Sequence, residues 1–193
     1  MNRMLLSNHY VVVRDFIPKY AAEQFASAFL SDTHKKCVPD PNFPDIVNVY
    51  NYLPFVRLLV SKIPQVSEIL GEPVLPTYVY SRIYEQGNVL VRHVDRPACE
   101  ISLTLNLRKN ADWPIYIERP DGTAVAVELE PGDAVMYMGC EAPHWREAFN
   151  GSQYLQVFMH YVRANGDKAW SFFDIQKQQL PTPTDNKLPV TIL

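Results

Sequence analysis

The sequence lacks several features that would assign a class at once. Only three of its 193 residues are cysteine, Cys37, Cys99 and Cys140, and no two form a CxxC pair. An odd, widely spaced set of thiols argues for a reducing, cytoplasmic setting and against a disulfide framework. No apolar run approaches the about 20 residues of a membrane span. The stretch Met1-Asn2-Arg3-Met4-Leu5-Leu6-Ser7 is too short in its apolar part to read as a secretory signal. Positive charge is not in surplus: 18 basic against 21 acidic residues leave a net −3. A generic nucleic-acid binder is therefore not expected, because neutralising phosphates takes an excess of Lys and Arg. Glycine is scarce, with 7 residues against 16 prolines, which points to many turns and few long helices. What remains is an ordinary globular composition, 47% apolar and 20% charged, and one domain over residues 1–193 is the expectation.

Periodicity divides that domain. His9 to Arg14 is short and β-branched and reads as a strand. After Pro18, Tyr20, Ala21, Phe25, Ala28, Phe29 and Leu30 recur at helical steps. Lys35 to Asp45 is proline-rich and polar and reads as a loop. A second amphipathic helix is predicted from about Tyr52 to Leu70, with Phe55, Leu58, Leu59, Ile63, Val66, Ile69 and Leu70 on one face and Gly71 as its cap. Beyond Gly71 the period changes from 3.6 to 2. Strands are predicted at 78–84, 89–94, 101–107, 115–117, 124–129, 134–137 and 154–162, separated by turns such as Glu130-Pro131-Gly132-Asp133. Helices first and strands later make an α+β chain with a sandwich or barrel. The predicted layout is helical support over about 15–70, packed on the outside of a β core over about 75–163, and a tail over about 170–193. Residues Gln176 to Leu193 of that tail hold three prolines and little periodicity.

Two of the five histidines stand in unusual surroundings. His93-Val94-Asp95 ends a strand, and alternation puts His93 and Asp95 on one face. His144 follows the turn and strand that begin at Pro131. Two imidazoles and one carboxylate on one face of a metal leave three positions open, which suits non-haem Fe(II). Taken alone, HxD more often marks an ordinary hydrogen bond.

The wider pattern is more specific. Tyr84-x-x-Gly87, Val91-Arg92-His93-Val94-Asp95-Arg96-Pro97, Ile101 to Leu107, Pro131-Gly132-Asp133 and Pro143-His144 occur in one order. That order resembles the Fe(II)- and 2-oxoglutarate-dependent oxygenases, in their prolyl-hydroxylase-like branch. The string VRHVDxP is especially close to that of the oxygen-sensing prolyl hydroxylases. The resemblance covers about Tyr78 to Arg163. It implies a double-stranded β-helix (a jelly roll), with His93, Asp95 and His144 holding iron at one mouth. It also implies oxidation of a C–H bond, coupled to conversion of 2-oxoglutarate and O2 into succinate and CO2.

The chain departs from that family at one position. A buried far carboxylate of 2-oxoglutarate needs a cation. The family's base, nine or ten positions after the second histidine, falls here on Gln153 and Tyr154. Arg146, two positions after His144, shares its face and is the preferred replacement; the alternative for it is a surface ion pair with Glu147. Arg82 shares a face with Tyr84, whose counterpart in the family lies in the co-substrate pocket, and is second choice or a ligand for the primary substrate. Asn106 and Tyr154 are read as further co-substrate contacts. His160 is read as a satisfied core histidine or a residue behind the metal ligands, Asp133 as a turn residue, and Arg92 and Trp145 as facing outward. His9 and His34 are read as structural or exposed.

The expected function is an Fe(II)/2-oxoglutarate dioxygenase, a hydroxylase acting on a prolyl group or related C–H bond. Its expected partners are O2 and a small-molecule or peptide substrate, with no nucleic acid and no membrane. The alternatives are a non-catalytic jelly-roll module binding a metal or small acid, and a zinc hydrolase. The hydrolase lacks a glutamate base in a recognisable motif.

Overall fold

The computed structural model describes residues 3–33, 38–40 and 43–174. His34, Cys37 and most of the predicted tail lie outside these residues.

The elements follow in order: α1 (Arg3–Asn8), β1 (Tyr10–Val13), α2 (Lys19–Thr33), β2 (Val38–Asp40), β3 (Phe43–Tyr50), α3 (Leu53–Ser61) and α4 (Ile63–Leu70). Then come β4 (Val74–Tyr84), β5 (Leu90–His93), β6 (Ile101–Lys109), β7 (Ile115–Glu118), β8 (Ala124–Val127), β9 (Ala134–Met138), β10 (His144–Arg146) and β11 (Tyr154–Arg163). Among the described residues, the strands form a seven-stranded sheet in the order β1-β9-β6-β11-β4-β3-β2 and a four-stranded sheet in the order β5-β10-β7-β8. Neighbours pair antiparallel in both. This is the expected jelly roll with helices on its outer side.

Alternation sorts the large sheet into two faces. Val79 and Ile83 of β4, Leu103 and Leu105 of β6, and Leu155, Val157 and Met159 of β11 are buried in one apolar cluster with Phe29, Phe55, Leu59, Val66 and Leu70 of the helices. The opposite face carries Arg82, Tyr84, Thr104, Asn106, Tyr154 and Gln156, all buried. So many buried polar groups need partners of their own.

Four local expectations are corrected. Residues 35–45 are not simply a loop: β2 and β3 begin within them and extend the large sheet on one side, with Pro39 in the edge strand β2, where proline is tolerated. The helix predicted over 52–70 is two helices, broken at Lys62. Pro64 cannot donate to the carbonyl of Val60, and its ring crowds that turn. The cap survives, with Gly71 left-handed at φ 84° and its N–H donated to Ser67 O. The buried face of α2 is set by Ala22, Ala26 and Phe29, leaving Tyr20 and Ala28 exposed. His144–Arg146 is a strand of its own, and the strand expected to reach Leu129 ends at Val127.

Asp133 ties the N-terminal segment to the turn before β9. It accepts from Arg14 Nη1 at 2.6 Å, Asp15 N at 3.0 Å and Glu130 N at 3.1 Å. Burial acts to raise its pKa, but these donors outweigh it and hold the carboxyl below the usual 3.8. A depressed carboxyl adds stability above its unfolded value and loses it as pH falls through the folded one. Asp133→Asn is therefore expected to lower unfolding stability at neutral pH by about 1–3 kcal/mol. The deficit should shrink as pH drops below about 3.8. Urea titrations of both proteins at pH 7 and pH 3 measure it.

Candidate metal centre and inner pocket

Strand register brings the two histidines together. His93 ends β5, His144 opens β10, and they are cross-strand partners. Their ring centroids are 4.3 Å apart. Each Nδ1 sits on the carbonyl two residues earlier, His93 on Val91 O at 2.8 Å and His144 on Ala142 O at 2.9 Å. An N–H donated there fixes the tautomer and leaves Nε2 bare, the usual arrangement behind a metal-binding imidazole. Both Nε2 atoms face one oxygen: His93 Nε2 is 3.6 Å and His144 Nε2 3.7 Å from Asp95 Oδ1. The ligand atoms of the three residues all lie within 4.8 Å of one another.

Asp95 is held by its surroundings. Its N–H is donated to Gly139 O at 2.8 Å, and its Oδ2 accepts from Ser102 Oγ at 2.6 Å. Burial acts to raise its pKa, but the adjacent His93, His144 and His160, together with the hydrogen bond from Ser102, bring it below the usual value. The adjacent Asp95 carboxylate raises the pKa of His93, whose side chain is 40% exposed. Burial lowers that of His144, which is 2% exposed, and so favours the neutral, ligating form. The centre therefore opens to solvent on the His93 side.

Gly139 has a role that the sequence reading missed. A Cβ on it would fall 2.5 Å from Asp95 Oδ2 and 2.7 Å from Ser102 Oγ, and closer still to the Cys99 carbonyl. In a chain with so few glycines, one directly after a strand was the available signal.

The inner pocket lies between the sheets. Arg146 is 2% exposed, so the surface ion pair with Glu147 does not form; Glu147 Oε1 instead accepts from Trp145 Nε1 at 3.3 Å. The Arg146 guanidinium donates to Trp113 O and, at 2.8 Å, to Gln156 Oε1. It lies 4.5 Å from the Trp113 ring and 4.9 Å from that of Tyr154, the position where the resembled family carries its base. No carboxylate pairs with it among the described residues. Both side-chain polar atoms of Asn106, the Tyr154 hydroxyl and Arg146 Nε are buried without a hydrogen-bond partner. Arg82, in register with Gln156, is buried with its guanidinium 5.5 Å from the Tyr80 ring and 6.0 Å from that of Tyr84. Alternation puts Gln156 on the pocket face with Tyr154, whereas the sequence pattern reads Trp113 only as a packing residue.

The other sequence-named residues fall as follows. Arg92 points outward onto Glu118 at 2.7 Å, and Trp145 stacks on Tyr116 away from the ligands. Arg163 is engaged by Glu72 and Glu100. His9 is half-buried, with Nε2 3.7 Å from Glu141. His160 is buried, with Nδ1 2.9 Å from Ser102 Oγ, and burial pushes its pKa down to about 4.

The fold is shared with solved structures. A prolyl-4-hydroxylase of Pseudomonas putida superposes with a TM-score of 0.68 over 83% of this chain and 95% of its own, at 16% identity. The non-haem α-ketoglutarate-dependent epimerase SnoN from nogalamycin biosynthesis gives 0.67 over 83% and 80%, at 17% identity. HygX of Streptomyces hygroscopicus, solved with nickel and 2-oxoglutarate bound, gives 0.67 over 86% and 88%, at 13% identity. The fold is that of the 2-oxoglutarate/Fe(II) oxygenases. No protein-family model matches the sequence, and no curated protein matches it.

Gly139→Ala must displace the Asp95–Ser102 contact. It is expected to weaken divalent-metal binding about 10- to 100-fold, the range for residues that orient ligands. Co(II) titration followed by visible absorption checks this, with circular dichroism confirming the sheet.

Proposed function

We propose that the protein is an Fe(II)- and 2-oxoglutarate-dependent dioxygenase, hydroxylating a prolyl group or a related C–H bond with release of succinate and CO2. The observation that carries the reading is the convergence of His93 Nε2, His144 Nε2 and Asp95 Oδ1 at one end of the pocket, with a buried guanidinium, that of Arg146, that no carboxylate among the described residues pairs with. A buried cation is expected to have an anionic partner, and two buried residues with unpaired polar atoms are expected to bind something. The donor set of two imidazoles and one carboxylate fits Fe(II), and the orphaned polar atoms fit a small dicarboxylate.

In this reading His93, Asp95 and His144 hold the iron. Arg146 takes the far carboxylate of 2-oxoglutarate, with Asn106, Tyr154 and Tyr84 lining its site. Iron with 2-oxoglutarate and O2 supplies the oxidising chemistry when bound. The chain contributes position and dryness. Trp113 and Tyr154 flank the guanidinium and keep water from it, so its charge acts in a low dielectric. Arg82 lies on the neighbouring strand and is assigned to an anionic group of the primary substrate. The non-catalytic alternative drew its support from the missing base after His144. Arg146 standing over Tyr154 weakens that ground. The neighbours' titles name a hydroxylase and an epimerase, so the fold leaves the reaction open.

Anaerobic addition of Fe(II) and 2-oxoglutarate should produce a weak visible charge-transfer band. His93→Ala, Asp95→Ala and His144→Ala should each abolish it and all 2-oxoglutarate turnover, with the fold retained. A variant that keeps near-full turnover removes that residue from the ligand set.

Arg146→Ala should weaken 2-oxoglutarate binding by tens- to about a hundredfold, for a charged bidentate contact worth roughly 2–3 kcal/mol. Metal affinity should change little, and Arg146→Lys should recover only part. Arg82→Ala should instead impair primary-substrate binding. If Arg82→Ala weakens 2-oxoglutarate and Arg146→Ala does not, the two arginines are assigned the wrong way round. Succinate release across a metabolite and peptide screen identifies the substrate.

A further inference from the structure

His160 has no place in the mechanism above, yet it is fully buried and its Nε2 has no partner. Its ring packs at a tilt against Tyr78, with centroids 4.5 Å apart. Its Nδ1 lies 2.9 Å from Ser102 Oγ. Ser102 Oγ has two other neighbours, Asp95 Oδ2 at 2.6 Å and Cys99 O at 3.1 Å, and both can only accept. The hydroxyl has one hydrogen, and the shorter, charged acceptor takes it. The Ser102–His160 contact is then a hydrogen bond only if Nδ1 carries the proton. The tautomer of His160 is thereby set, with N–H toward Ser102 and Nε2 bare.

From this chain of donors we infer that His160 and Ser102 are positioning residues that keep Asp95 a one-oxygen ligand. The inference rests on the metal role proposed for Asp95. His160 Nδ1–H donates to Ser102 Oγ, and Ser102 Oγ–H donates to Asp95 Oδ2. The carboxylate is thus turned so that Oδ1 faces both imidazoles while Oδ2 faces away from them. A carboxylate free to rotate would bring its second oxygen onto the metal and fill a position that a chelating co-substrate needs. Packing alone does not account for an imidazole here. A phenyl ring would pack against Tyr78 as well and would bury no unpaired acceptor.

The test uses the full chain loaded with Co(II). The readouts are its visible d–d spectrum, which reports coordination, and the 2-oxoglutarate Kd obtained by following that spectrum. His160→Phe keeps the shape and removes the donor. It should unfold no more easily than the wild type and bind Co(II), with an altered spectrum and 2-oxoglutarate binding at least tenfold weaker. Ser102→Ala should behave alike. His160→Asn, which restores an N–H near the Nδ1 position in a smaller side chain, should return most of the affinity and the wild-type spectrum.

If His160→Phe matches the wild type within twofold in Kd and in spectrum, the relay is overturned. It is also overturned if His160→Asn is no better than His160→Phe. Should His160→Phe fail to fold, Ser102→Ala decides by the same criteria. A wild-type protein that takes up no Co(II) would overturn the metal reading and the relay with it. Normal wild-type behaviour with unchanged variants overturns the relay alone.

Discussion

The cross-strand register of β5 and β10 is the constraint on which the candidate site depends. It sets His93 beside His144, and a slip of β5 by one residue would turn the His93 ring to the other face, away from His144. Each ring is then locked by the carbonyl two residues behind it, so pairing and tautomer come from the same stretch of backbone. Asp95 enters just past the end of β5, where the Gly139 carbonyl takes its N–H. Only glycine fits at 139 because backbone and carboxylate approach there within van der Waals distance.

Behind the ligands, the inner pocket is polar where an ordinary core would be apolar. The helices fill the outer face of the large sheet with Phe, Leu and Val, and that cluster supplies the burial that stabilises the fold. The inner face is thereby released from that duty. It carries Asn106, Gln156 and Ser102, facing Arg146 of the small sheet, at positions where leucine or valine would pack more favourably. Arg146 reaches from β10 to Gln156 of β11 and so joins the two sheets through a hydrogen bond in the interior.

Much of this was legible in the sequence because the strands alternate cleanly. The period-two reading put His93 with Asp95 and Arg146 with His144, and the structure has both pairs on one side. It also placed Asn106 and Tyr154 inward and Arg92 and Trp145 outward. What escaped it had other physical causes. Prolines 39 and 44 hide strands β2 and β3, since proline in a run argues against a strand, and a single sequence does not announce that β2 is a sheet edge. Pro64 divides a helix whose apolar spacing continues unbroken across the gap. Gly139 and Trp113 act through contacts with distant segments, which no local pattern encodes. His160 looked like a core residue because its link to Asp95 passes through a serine 58 positions away in the chain.

The position of β5 at the edge of the small sheet has a kinetic consequence. His144 sits between two strands, whereas His93 belongs to a strand with one neighbour and with Val89, Val91 and Val94 exposed around it. Fraying of β5 breaks few contacts and frees His93 while His144 and Asp95 stay in place. For a metal held as proposed by these three residues, exchange would have a route through local opening at His93 that leaves both sheets folded. A bound ion, by bridging β5 to β10 and Asp95, would close that route and tie the edge strand to the interior.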